Sequence, residues 1–296
     1  MKKLVYNISF FLFIPIIIII LFKILYLNKI DNIIDNYSVV ICGDSHTNSG
    51  IDNCKLKNSI NISNSSETYF YTFNILNKIA VKKSKPKTIV LGCSFHSFGK
   101  GYDFDFDKDF FYSESMLEKY FLTLDFQSSL FLFTKKLNGI SKVSVPLFFQ
   151  MFQAVSSSNK SLEYYPFIGK RHKSNKSNLC DSVLKSAIKT HYYGSNSSKN
   201  GFSYSQKKYL IKIVNLCKMR GFRLILVNTP VHRKYHNKIP KKVLQNYYTF
   251  INKLNVRLLD LNSFKIESKY MGDFDHLNSL GASFFTEKLK VLLKNN

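Results

Sequence analysis

"VVICGDSHTNSGID", residues 39–52, runs from an apolar, β-branched stretch straight into Gly43-Asp44-Ser45-His46. A short apolar run that ends at glycine reads as a buried strand followed by a tight turn. The polar tetrapeptide then admits three readings. Ser45 can be a nucleophile, Asp44 and His46 can clamp a metal, or the four residues can be a turn and nothing more. The rest of the chain has to decide between them.

Similar runs recur. Residues 59–63 alternate polar and apolar and suit a short edge strand; "KTIVLG" (87–92), "FRLILVNTP" (222–230) and "VRLLDLN" (256–262) repeat the pattern of a buried strand closed by small or polar residues. Helix signals lie between them. Asn64 followed by Glu67 matches a capping box opening "ETYFYTFNILNKIAV" (67–81). Ser205 can cap a helix with Leu210, Ile213, Val214 and Cys217 on one face and Gly221 as its stop. Pro240 suits the first turn of a helix carrying Val243, Tyr247, Phe250, Ile251 and Leu254. Ala282, Phe285, Leu289 and Leu292 form the inner face of a terminal helix. Alternating strands and helices predict a three-layer α/β/α sandwich around a parallel, flavodoxin-like sheet of about five strands. Residues 97–200 interrupt that rhythm with "GYDFDFDKDFF", a helix or two around 114–138 and a basic tract at 159–178. A segment of that length is expected to act as a lid or substrate platform.

"LVYNISFFLFIPIIIIILF" (4–22) has no charged residue and reaches the roughly 20 apolar residues that cross a bilayer. Lys2 and Lys3 precede it and no small-x-small cleavage site follows. These features predict one uncleaved transmembrane anchor within residues 1–30, and a domain over 31–296 that lies outside the cytoplasm at the cell membrane. The 43 basic residues against 19 acidic ones give a net charge of +24 and imply an anionic neighbour. Biased Lys and Asn usage gives the same charge, and no nucleic-acid-binding motif focuses it, so no nucleic acid partner is expected. The five cysteines form no CxxC pair and leave the compartment open.

In open parallel sheets, ligands bind beyond the carboxyl ends of the strands. The residues there are Gly43 to His46, Gly92-Cys93-Ser94-Phe95-His96, Asn228 to His232, and Asp273-Phe274-Asp275-His276 in the last loop. A serine nucleophile needs a base, and the base needs an orienting carboxylate. Ser45, His276 and Asp273 supply these roles, with Asp275 as a rival for Asp273. Backbone amides at Ser45 and around Gly92 to Ser94 are candidate oxyanion donors. Asp44, His46 and His96 are candidate pocket residues. Tyr164 and Tyr165 suit either ordinary packing or stacking on a sugar.

"GDS" after the first strand, with "DxxH" before the last helix and "DFDHLNSLGASFFTEKL" around it, resembles the SGNH/GDSL hydrolase superfamily over about residues 38–96 and 203–294. The resemblance implies Ser45 as nucleophile, with Asp273 and His276 completing a triad. It further implies an anchored enzyme that hydrolyses or transfers acyl groups on an acylated saccharide ester at the cell surface. That scheme needs no metal or other cofactor. Two features depart from the family pattern. Gly92-Cys93-Ser94-Phe95 stands where Gly-x-Asn-Asp is usual, and Ser65 and Ser66 stand where a glycine is usual. An anchored glycan-binding or assembly protein that keeps the fold without catalysis is therefore one alternative. A metallophosphoesterase, suggested by Asp44-x-His46, is a weaker one, because the later metal ligands of that family are missing.

Overall fold

Five short runs rich in Val, Ile and Leu pair as one parallel sheet: β1 (Val39–Cys42), β2 (Ser59–Asn61), β3 (Thr88–Gly92), β4 (Arg223–Asn228) and β5 (Arg257–Asp260), in the order β2-β1-β3-β4-β5. The computed structural model describes residues 2–79, 87–99, 116, 119–135, 149, 152–153, 155–156, 165–169, 175–193, 202–262 and 264–294. Nine helices accompany the strands among these residues: α1 (Lys2–Asp35), α2 (Ser45–Gly50), α3 (Tyr69–Ile79), α4 (Phe126–Lys135), α5 (Asp181–Ile188), α6 (Tyr204–Arg220), α7 (Arg233–His236), α8 (Lys241–Lys253) and α9 (Ser279–Lys294).

Side chains alternate across the sheet and feed two cores. Val40, Cys42, Ile89, Leu91 and Leu226 meet α1, α3, α6 and α8 on one face. Ile41, Val90, Ile225, Val227 and Leu259 meet Phe285 and Leu289 of α9 on the other. The expected α/β class and parallel sheet of five strands are both present. Strand order reverses between β1 and β3, whose registers pair Val39 with Thr88 and Cys42 with Leu91. A crevice opens beyond the carboxyl ends of two such strands, and this is where ligands bind in doubly wound sheets.

Two glycines shape that crevice. Gly43 takes φ +138°, which disfavours any side chain, and a Cβ there would meet Thr47 Oγ1 at 2.5 Å. A Cβ on Gly92 would meet the same oxygen at 2.0 Å. The first turn of α2 thus sits down between β1 and β3 only because glycine follows β1 at 43 and ends β3 at 92.

Several local expectations move. The cap of α6 is Ser203, whose side chain accepts from the Gln206 amide at 3.1 Å, and Ser205 lies inside the helix. Gly221 closes that helix in the left-handed region, as expected. Pro240 is the residue before α8, not in its first turn. Helix α3 starts at Tyr69, five residues past Asn64, whose Nδ2 donates to the Pro166 carbonyl at 3.1 Å. Glu67 is turned into the core, where its carboxyl accepts from Thr72 Oγ1 at 2.6 Å and Tyr120 Oη at 2.8 Å. Burial pushes this carboxyl up to about 8, even though both hydroxyls pull the other way. Tyr165 is also buried, against Tyr26 with ring centroids 5.4 Å apart, so it packs instead of offering a sugar platform. Tyr164 and "GYDFDFDKDFF" lie outside the described residues.

The carboxyl half of α1 is docked on the domain through Tyr26, Ile30 and Ile34, which are buried. Lys23 Nζ donates to the Leu124 carbonyl at 3.2 Å and Lys29 Nζ to the Val155 carbonyl at 2.8 Å. Among the described residues no helix is long and apolar enough to cross a membrane. Most side chains of the expected 4–22 span, those of residues 4–16 and 19, lie outside the described set.

Candidate active site

Asp44 opens α2 as its cap, its Oδ1 accepting from the His46 amide at 3.0 Å. That cap fixes Ser45 as the first residue of the helix, at the mouth of the β1–β3 crevice. The helix is braced from outside. Asn61 Nδ2 donates to the carbonyls of Thr47 and Ile51 at 3.3 and 3.2 Å, and Asn48 Nδ2 donates to that of Ser63 at 2.8 Å.

The partner loop folds on itself just before α9. Met271 and Leu277 pair in an isolated antiparallel bridge, and the Gly272 amide donates to the His276 carbonyl at 2.8 Å. Asp273 Oδ1 accepts from the amides of Asp275 and His276 at 2.9 and 2.7 Å. This side-chain turn is the physical meaning of the Asp-x-x-His spacing: the carboxylate that shapes the loop lies directly against the ring three residues later. Asn278 then caps α9, its Oδ1 accepting from the Gly281 amide at 2.9 Å.

Ser45 and His276, 231 residues apart in sequence, meet with Oγ 2.8 Å from Nε2. On the other side of the ring, Nδ1 lies 3.1 and 3.0 Å from the two oxygens of Asp273 and 3.7 Å from Asp275 Oδ1. Asp273 is the nearer of the two acids. Burial alone would favour neutral His276, but the hydrogen bond with Asp273 and the charges of Asp275, Asp273 and Asp44 outweigh it and raise the group to about 9. The three residues border a cavity of about 470 Å³, with Ser49, Ser65, Lys176, Ser177 and Asn178 on its other walls.

The other expected site residues lie elsewhere. His46 and His96 do not line this cavity; they are buried beneath it, stacked with ring centroids 3.8 Å apart. Asp44 Oδ2 lies 2.7 Å from His96 Nε2. Burial of Asp44 opposes its charge, yet His96 beside it, and then His46, hold the carboxyl well below the usual range. Asp44 and His46 therefore face different partners and do not form a shared metal clamp. Gly92 and Ser94 are also away from the cavity. The Cys93 amide donates to the Val227 carbonyl at 2.8 Å and the Ser94 amide to Ser97 Oγ at 3.3 Å, so both candidate oxyanion amides are already engaged.

His191 was not singled out by the sequence. It comes from the end of the long insertion, on a π-helical turn (Lys189–Tyr193) that brings its ring 4.8 Å from that of His96. Its Nδ1 lies 2.7 Å from Tyr235 Oη and 3.6 Å from Asp275 Oδ2. Burial first, and His96 next, push this imidazole down to about 3.

No family model matches the chain, and no curated protein matches it either. Any functional reading therefore rests on the residues themselves.

Proposed function

We propose that the chain is a serine-dependent ester-processing enzyme of the SGNH type, an esterase or O-acyltransferase acting on an acylated cell-surface polysaccharide. The observation that carries this reading is the Ser45–His276–Asp273 relay, with Oγ to Nε2 at 2.8 Å and Nδ1 to the carboxylate at 3.0 Å. Ser45 Oγ attacks the acyl carbonyl while neutral His276 takes its proton at Nε2. Asp273 holds the ring and stabilises the imidazolium that forms. Collapse of the tetrahedral intermediate breaks the bond to the leaving alcohol, which receives that proton from His276. Water, or a sugar hydroxyl in a transferase, then attacks the acyl-serine with the same base.

The Ser45 amide, at the start of α2, is one donor to the developing oxyanion. With the amides of Cys93 and Ser94 engaged, the second donor in this reading comes from the facing wall, where Ser65 stands. Each such donor is worth about 3 kcal/mol of barrier. A non-catalytic glycan-binding protein on the same fold is the second reading, favoured by those two engaged amides.

The location proposed is the cell membrane, with the domain outside the cytoplasm. The uncharged 4–22 stretch supports it, as do the exposed Ile17, Ile18, Ile20, Leu21, Ile24 and Leu25 on α1. Phe126, Phe149 and Phe152 of the insertion are also exposed, and Phe152 lies beside Phe22 of α1 with ring centroids 6.4 Å apart.

A serine-directed fluorophosphonate tests the reading: it should label the wild-type chain and not Ser45→Ala. Absence of labelling in folded wild-type protein would favour the binding reading. Incubation with an acyl donor, with and without an acceptor oligosaccharide, followed by product masses, separates transfer from hydrolysis.

A further inference from the structure

His46 is 2% exposed, and neither of its ring nitrogens has a hydrogen-bond partner. Its Nε2 nevertheless lies 3.3 Å from Asp275 Oδ2, itself buried. A buried imidazole without a hydrogen bond costs on the order of 1–3 kcal/mol, and an ion held by both groups would offset that cost. His191 faces the same carboxylate oxygen at 3.6 Å, and donor atoms of His46, His191 and Asp275 all lie within 4.8 Å of one another. Two donors each about 2.0–2.1 Å from a tetrahedral ion stand roughly 3.3 Å apart.

We propose that His46, His191 and Asp275 form a binding site for a divalent transition metal of the zinc type, directly beneath the Ser45–His276 pair. Two imidazoles and one carboxylate are a donor set that zinc, cobalt and their neighbours accept. The Tyr235 hydroxyl, 2.7 Å from His191 Nδ1 and itself bonded to Tyr192 Oη at 3.2 Å, holds that nitrogen, so His191 would ligate through Nε2. A second possible set, Asp273, Asp275 and His276, is less suited, because His276 and Asp273 are already committed to Ser45 and to each other. His46 belongs to α2, Asp275 to the loop before α9 and His191 to the insertion, so one ion would tie three separate segments together under the serine. The ion would also take up the negative charge of Asp275 and leave Asp273 as the sole carboxylate partner of His276.

The test titrates Co²⁺ into the purified full-length chain in detergent, after treatment with a chelator. One equivalent should bind with the visible absorption of a four- or five-coordinate site, and Zn²⁺ should displace it. His191→Ala and Asp275→Asn should each weaken binding by more than about tenfold, whereas Ser45→Ala, which removes no donor, should leave the spectrum unchanged. His191 lies on a half-buried turn, so its variant tests the site even where Asp275→Asn fails to fold. Wild-type protein that melts cooperatively yet takes up no Co²⁺ would overturn the proposal, as would an affinity unchanged in either folded variant. The outcome is independent of fluorophosphonate labelling, so the metal site and the esterase reading can fail separately.

Discussion

Both carboxylate oxygens of Asp273 lie against a single nitrogen of His276, at 3.1 and 3.0 Å, while the neighbouring acid Asp275 stands off at 3.7 Å. The difference makes the two acids separable by experiment. In metal-free protein, Asp273→Asn should slow fluorophosphonate labelling of Ser45 by roughly 10²- to 10⁴-fold, because the ring loses its tautomer and orientation. Asp275→Asn should slow it by a clearly smaller factor. Equal losses would contradict the assignment of Asp273 as the orienting acid.

The raised pKa of His276 fixes the sign of the pH dependence. A base must be neutral to accept the serine proton, so the labelling rate of metal-free protein should climb with pH through a midpoint near 9. A midpoint near the ordinary histidine value of about 6.5 would remove the carboxylate effect from the argument. The same shift bears on stability. The folded state holds this proton more tightly than the unfolded chain, so the contribution is complete below about 6.5 and disappears as pH rises through about 9.

Gly92 has room for no side chain, and the atom in the way is Thr47 Oγ1, a buried hydroxyl without a partner. Gly92→Ala should destabilise the protein by about 1–3 kcal/mol through overpacking. Thr47→Ala removes the obstructing oxygen, so the double variant should recover part of the loss. Denaturant midpoints of the four proteins measure the coupling, and strictly additive effects would show that the clash is relieved some other way.

Glu67 is buried with a carboxyl raised to about 8. Its folded state binds a proton that the unfolded chain has released above the ordinary carboxylate range, so it should subtract stability steadily as pH rises from about 4.5 to 8. Glu67→Gln should remove that slope and be the more stable protein at pH 8. Parallel melting curves against pH for both proteins provide the comparison, and an identical slope would place Glu67's titration elsewhere.

Strand positions were readable because β-branched runs ending in small residues leave few other choices, and the sheet brings those ends to one edge. Ser45, His276 and Asp273 were readable for the same reason: each sits at a strand end or in the loop before the last helix. His191 carried no such signal. It lies in a segment without periodicity and reaches the site through a single π-helical turn. Which amides are free was equally hidden, since an amide's availability depends on which carbonyl or hydroxyl has already taken it, as Val227 and Ser97 have done here. Ser203 and Ser205 illustrate the smaller version of the problem: two hydroxyls stand within one turn, and backbone angles decide which of them caps α6.

Helix α1 runs unbroken from Lys2 to Asp35, about 51 Å at 1.5 Å per residue, and its far end is packed into the domain by Tyr26, Ile30 and Ile34. Mechanically this is a mast and not a leash. With residues 4–22 in a bilayer, the serine would ride at a nearly constant height above the lipid surface, unable to swing toward distant acceptors. Reach would then be set by the geometry of one rigid rod, and adding or removing whole turns would raise or lower the plane in which Ser45 stands.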